Sequence, residues 1–303
     1  MSKLLVEDKD IKSSKSNFAI YDNEQIKFEG KNISDSLFAY KMQSGFFQSI
    51  DIEIINAVYI LKYSTSRQVT TFLNSVRNID VDQSIVTKRL TILNNSSVVG
   101  RYSFISDNRY NETGLKCYVL RERGKRLLLQ REYTCKWNIY NSTLVLESIK
   151  NYLARNNYIL KVLKNKIIDF DNLKLNNDES SVGCTYMINE IRHVAFSIRK
   201  TDSIHNIKKN LMQFEKDYGL LSKKKLIIIG EGDLHLFEIF RSLLLFAHKK
   251  EIDPKLLNCI IFTQDLRIIE REIDSCFILY KIVDKKAVLE DFRLNEFTVY
   301  SGN

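Results

Sequence analysis

The chain has 303 residues, 44% of them apolar, which is enough for two ordinary domains and too apolar for a disordered chain. Lys and Arg number 46 against 37 Asp and Glu, and this balance of +9 points to a polyanionic partner, nucleic acid first. No apolar run approaches the ~20 residues of a membrane-spanning helix, and the polar stretch Met1–Asn17 lacks the apolar core of a secretory signal; a cytoplasmic protein without a membrane partner is expected. The five cysteines (Cys117, Cys135, Cys184, Cys259, Cys276) are scattered, with no C-x-x-C spacing. His193, His205, His235 and His248 do not stand at ligand spacing with them, so buried reduced thiols are expected and no zinc site.

In chain order, residues 1–48 read as a charged, flexible tail followed by a hairpin. The alternation of Phe18, Ile20, Ile26 and Phe28 about a Tyr-Asp-Asn turn predicts the hairpin. A helix capped by Asp51 follows, with Ile52, Ile55, Val58 and Tyr59 at helical spacing. Ser66 opens a second helix, Arg67–Ser75, with Val69, Phe72 and Leu73 apolar. Asp82 caps a third, Gln83–Asn94, with Val86, Leu90 and Leu93 on one face. Then come a strand at Val98–Phe104, a polar tip at Asp107–Gly114, a returning strand at Lys116–Leu120 and a helix at Arg121–Arg131. Three helices, a strand, a loop, a strand and a helix make the winged-helix order, a variant of helix-turn-helix, assigned to residues 49–135.

In that arrangement the third helix enters the major groove. On a helical wheel Ser84, Thr87, Lys88, Thr91 and Asn95 lie opposite the apolar face, short polar and cationic groups suited to base edges and phosphates. Glu is absent from Asp82 to Ser106, unlike a merely solvated helix. The residues expected to contact DNA are Ser84, Thr87, Lys88, Arg89 and Thr91 on the helix, with Arg101, Arg109 and Lys116 on the wing. Lys116–Arg131 carries six basic residues against one Glu, which strengthens the basic surface.

Residues 136–303 read as an α/β domain. Ser142 or Thr143 caps a helix through Arg155, and strands are predicted at ~158–170, ~182–189 and ~192–200. A helix at His205–Tyr218, a strand at Lys225–Gly230, a helix from an Asp233 N-cap to Lys249 and a strand at Asn258–Thr263 follow. Phe277–Val283 and Ala287–Phe292 add edge strands. The Gly230-Glu231-Gly232-Asp233 turn lacks the third glycine and the lysine of nucleotide-binding loops, and serves as a strand-to-helix connection. The fold class is thus α+β: an N-terminal winged helix-turn-helix domain, then an α/β domain with a central mixed sheet.

Thr87-Lys88-Arg89-Leu90-Thr91-Ile92-Leu93, Val98-Val99-Gly100-Arg101 and Tyr118-Val119-Leu120 through Gly124 to Leu128 resemble the recognition helix, wing and following helix of winged-helix regulators. Asn95-Ser96-Ser97 departs from the pattern, which often has Gly at the helix end; Asn tolerates the left-handed conformation that position needs. The order helix, three strands, helix, strand in the second half resembles the PD-(D/E)xK nuclease-like core. With the winged helix before it, the chain is similar to the replication-relaxation family of plasmids and integrative elements.

That resemblance implies an acidic metal-binding pair, for which Asp169, Asp171 and Asp178 are the candidates by order, and a Glu-x-Lys on the third strand. Here Ser197-x-Arg199 stands in its place, and Ser cannot anchor a divalent cation. The core is therefore expected to be inactive, with Arg199, Lys200, Lys208 and Lys209 available for DNA-backbone or protein contacts. No catalytic residue, metal or cofactor is assigned. The function expected is sequence-specific, non-enzymatic DNA binding in replication or conjugative transfer of a mobile element. The partners expected are double-stranded DNA, a replication or transfer protein and a second copy of the chain. A transcriptional regulator with a sensing C-terminal domain and a metal-dependent nuclease stay open as alternatives.

Overall fold

Two segments far apart in the chain begin the first sheet. In the computed structural model, which describes residues 16, 18–105, 114–142, 144–178, 181–200, 204–218, 224–283 and 286–295, strand β1 (Gln25–Phe28) is followed by helices α1 (Asp35–Gln43) and α2 (Ser49–Leu61). Strand β2 (Tyr63–Ser64), helices α3 (Ser66–Val76) and α4 (Gln83–Asn95), strands β3 (Val99–Ile105) and β4 (Lys116–Leu120) and helix α5 (Glu122–Gln130) complete the series. The sheet is antiparallel in the order β1-β3-β4-β2, with Lys27 opposite Ser103 and Ser103 opposite Lys116. The expected hairpin around Tyr21–Asn23 does not form. Residues 18–20 are not in a strand, and the Ile26–Phe28 stretch finds its partner in β3 instead.

Local chemistry sets the helix limits. Thr65 caps α3 by accepting from the Gln68 amide at 3.2 Å, while the Gln68 side chain accepts from the Thr65 amide at 3.1 Å. Asp51 is not the N-cap of α2; Gln48 is, and Asp51 sits three residues into the helix, accepting from the Gln48 amide at 2.8 Å. Asp82 takes the N-cap position of α4 without a side-chain bond to the helix. After α4 the left-handed residue is Ser97, with φ 59°, not Asn95. Its hydroxyl donates to the Lys31 carbonyl at 2.7 Å and accepts from the Ile33 amide at 3.1 Å, bonds that offset the strain of a non-glycine residue there. Gly124 answers a different need. A Cβ there would lie 2.6 Å from the Val98 carbonyl oxygen and 2.4 Å from Leu120 Cδ1, so only glycine lets α5 sit this close to the strands.

Helix α6 (Leu146–Lys164) runs past Arg155, where the sequence suggested a stop, and takes up most of the predicted strand at 158–170. Tyr158, Ile159, Leu160, Val162 and Leu163 are all buried, so this half of the helix is apolar nearly all round and has the composition of a core strand. The division of the chain into two compact units falls inside it: Tyr21–Asn156 is one, and Asn157 onward with the segment ending at Ile20 is the other. In the first unit, Asn156 Nδ2 donates to the Leu61 and Tyr63 carbonyls at 2.9 and 2.7 Å and secures the end of α2.

The second unit is a mixed seven-stranded sheet. After a short turn at Phe170–Asn172, strands β5 (Lys174–Asp178), β6 (Ser181–Ile188) and β7 (Ile191–Ser197) form an antiparallel meander. Helix α7 (Ile204–Tyr218) leads to β8 (Lys224–Gly230), and α8 (Asp233–His248) leads to β9 (Ile260–Gln264). β7, β8 and β9 run parallel. Helix α9 (Asp265–Glu270) and the antiparallel pair β10 (Phe277–Val283) and β11 (Lys286–Phe292) follow, and β11 and β5 are the sheet edges. Ile207, Leu211 and Phe214 of α7 and Leu236, Ile239, Phe240 and Leu243 of α8 pack with Leu226, Ile228 and Phe262. On β8, Leu226, Ile227, Ile228 and Ile229 are all buried, as a strand covered on both faces requires. Asp233 is the first residue of α8, not its cap; Gly232 holds that place, and Asp233 Oδ1 accepts from Gln264 Nε2 at 3.0 Å. Among the described residues no helix is long and apolar enough to cross a membrane.

Candidate functional site

The outer face of α4 is the first candidate. Val86, Leu90 and Leu93 are fully buried, and each contributes roughly 1.5–3 kcal/mol of apolar burial that fixes which way the helix turns. Ser84, Thr87, Lys88 and Asn95 are exposed as a result, and Thr91 is half-buried. The Thr87 and Thr91 hydroxyls donate to the carbonyls one turn back, Gln83 at 2.8 Å and Thr87 at 3.0 Å, so both are held in fixed orientations. Ile85, 46% exposed, adds an apolar contact to this face that the sequence reading did not single out. An apolar residue outside the Val86–Leu90–Leu93 stripe was the signal for it.

Arg89 does not belong with these residues. It lies about 60° from the centre of the apolar stripe on an ideal helix, and its guanidinium turns inward. Nε donates to Asp51 Oδ1 at 2.7 Å and Nη2 donates to Asp51 Oδ2, with Asp51 fully buried. The hydrogen bond to Asp51, set against burial, holds the Arg89 guanidinium above its usual pKa. This pair ties α4 to α2 and is a positioning contact.

On the sheet, Arg101 is also engaged: its Nε donates to Glu29 Oε2 at 2.8 Å. Lys116 is exposed, and Arg109 lies outside the described residues. The basic run Lys116–Arg131 is mostly spent inside the protein. Arg121 donates to the Lys31 carbonyl and to Asn32 Oδ1, and Arg123 donates to the Ile33 carbonyl at 2.8 Å and Asp35 Oδ1 at 3.0 Å. Arg126 pairs with Glu122, one helical turn away, at 2.7 Å. Arg121 and Arg123 thus hold down residues 31–33 and the first residue of α1, an interaction that composition could not distinguish from a basic surface.

In the second unit, polar residues gather at the carboxyl ends of β7, β8 and β9, the rim where open α/β sheets usually bind ligands. Arg199, expected to be available for contacts, is fully buried there. It donates through Nη1 to Asp265 Oδ2 at 2.7 Å and through Nη2 to Asp265 Oδ1 at 3.3 Å. Nη1 also donates to the Phe18 carbonyl at 3.3 Å, and the Ser16 hydroxyl donates to Asp265 Oδ2 at 2.7 Å. Glu231 accepts from the Lys200 amide at 2.8 Å, and burial pushes its carboxyl up. His235 Nδ1 accepts from the Glu231 amide at 3.2 Å. Burial first, then the charges of Arg199 and Lys200, lower its pKa to about 3, which keeps it neutral. Lys200 and Lys209 are exposed, whereas Lys208 pairs with Glu251 at 2.6 Å.

The acidic candidates do not assemble at this rim. Asp169 and Asp171 are exposed at the turn before β5, Asp178 closes β5, and β5 is two strands from β7. Among the described residues no three His, Cys, Asp or Glu side chains are grouped to hold a metal ion. All five cysteines are unbridged; Cys259 is half-buried and the other four are buried, with burial pushing the Cys276 thiol up to about 12. The chain matches no family model, no curated protein and no solved structure.

Proposed function

We propose that the chain is a sequence-specific DNA-binding protein that acts without catalysis. In this reading α2, α3, α4, β3, β4 and α5 form a winged helix with α4 as its recognition helix. The observation that carries it is the outer face of α4. Ser84, Thr87 and Lys88 are exposed together on a helix whose opposite stripe is fully buried and whose Arg89 is locked to Asp51. Small hydroxyls beside one cation and one exposed isoleucine match the donors, acceptors and thymine methyl groups of a major groove. The setting implied by the resemblance to the replication-relaxation family is replication or conjugative transfer of a mobile element, with a replication or transfer protein as partner.

In the second unit, the order α6, β5, β6, β7, α7, β8 supports a nuclease-like scaffold. The burial of Arg199 against Asp265, where the nuclease pattern has its lysine, favours a structural role for that position over a cutting one.

Titration of the full chain against duplex DNA over a range of salt tests the reading. Lys88→Ala is expected to weaken binding several-fold and to flatten the plot of log K against log salt by about 0.9 if Lys88 meets one phosphate. Affinity and slope equal to the unmodified chain's would overturn α4 as the recognition helix. Sequencing the genomic DNA retained by the protein separates an origin from a promoter.

A further inference from the structure

Strand β1 was no part of the sequence-level picture of the wing, yet it gives the β3–β4 hairpin a third strand. Its register puts Lys27 opposite Ser103, and Ser103 opposite Lys116. Residues directly opposite in antiparallel strands project from the same face. Lys27 and Lys116 therefore flank a short serine on one side of the sheet, their Cα atoms two strand spacings apart, roughly 10 Å. Both are exposed, whereas Ser103 is buried and leaves no bulk between them.

Most arginines of this unit near the sheet are already engaged. Arg89 is held by Asp51, Arg101 by Glu29, Arg123 by Asp35 and Arg126 by Glu122, and Arg121 is bound to Lys31 and Asn32. Of the acids that flank β1, Glu24 is paired with Lys150 and Glu29 with Arg101, and the charge of Lys116 also helps to lower the Glu29 carboxyl. Lys27 and Lys116 add to this face two exposed ammonium groups on flexible stems, near the end of the hairpin.

Resting on the DNA-binding reading above, we propose that Lys27 and Lys116 form a two-point clamp on the phosphate backbone of DNA. The clamp spans strands β1 and β4 and positions the wing independently of sequence. Ammonium groups act as point charges with rotatable donors, which suits phosphates met at variable angles better than base edges. Contacts of this kind raise affinity for every duplex alike and add to the salt dependence.

The test uses the full chain with Lys27→Gln, Lys116→Gln, the double variant and Lys88→Gln. Each is titrated by fluorescence anisotropy against a mixed-sequence duplex over a range of salt, with thermal unfolding as a check on the fold. Each wing substitution is expected to lower the salt slope by about 0.9 and the double by about 1.8, with equal losses on duplexes of different sequence. If Lys88→Gln weakens binding while the Lys27 and Lys116 variants keep affinity and slope, the clamp is wrong and the DNA-binding reading stands. If none of the four changes binding, both fall. A loss at Lys27 or Lys116 that depends on the sequence of the duplex would also overturn a backbone clamp.

Discussion

The outer face of α4 and the rim of β7–β9 both collect charged and polar side chains, and burial gives them opposite roles. On α4, Ser84, Thr87 and Lys88 face solvent, and nothing in the helix needs them for packing. At the rim, Arg199, Asp265 and Glu231 are nearly sealed from water and bond to one another, to the Ser16 hydroxyl, to the Phe18 carbonyl or to the Lys200 amide. A cation in the first place can exchange its hydration for a partner, whereas in the second its charge is already committed and losing it strands a buried carboxylate. Arginine, lysine and serine occur in both regions, so residue type alone does not separate an exposed face from an internal lock.

The largest expected effect breaks the lock. Arg199→Met should cost about 3–5 kcal/mol in urea unfolding because Asp265 is left buried without its cation. Arg199→Met combined with Asp265→Leu should recover most of that loss. A single variant near wild-type stability would place Arg199 with the surface cations after all. Gly124→Ala should cost about 1–3 kcal/mol in urea unfolding by overpacking α5 against Val98 and Leu120.

His235 sharpens the rim through pH. Its pKa falls to about 3 in the fold from an ordinary 6.5, so the folded state prefers the neutral ring. The unfolded chain takes up the proton first, and stability therefore falls as pH drops from about 6.5 towards 3. By pH 5 the loss should be on the order of 1–2 kcal/mol. His235→Gln should remove that part of the acid sensitivity, and an unchanged pH profile would show that His235 is not sealed in. Smallest of all, Lys88→Ala should change stability by less than about 0.5 kcal/mol, as checked by thermal unfolding, even while DNA affinity drops.

Regular local pattern carried much of the fold into view from sequence alone. The stripe of Val86, Leu90 and Leu93 defines α4 to within a residue, and the unbroken apolar run of β8 and the polar face of α4 are legible in the same way. What stayed hidden depends on distant partners. Arg89 turns inward because Asp51 of α2 waits for it, and Arg199 because Asp265 does, 38 and 66 residues away in the chain. The apolar half of α6 looks like a strand because a helix buried on all sides loses its periodicity. Lys27 had no reason to be noticed until β1 was paired with β3.

That pairing also has a consequence in time. Glu29 and Arg101, which fasten the two strands together, are 72 residues apart. At ribosomal speeds of ~5–20 residues per second, the β1 segment waits roughly 4–15 s for its partner to be made. Through that interval Ile26 and Phe28 belong to an unpaired, alternating strand, the kind of segment that other nascent chains or a chaperone can capture.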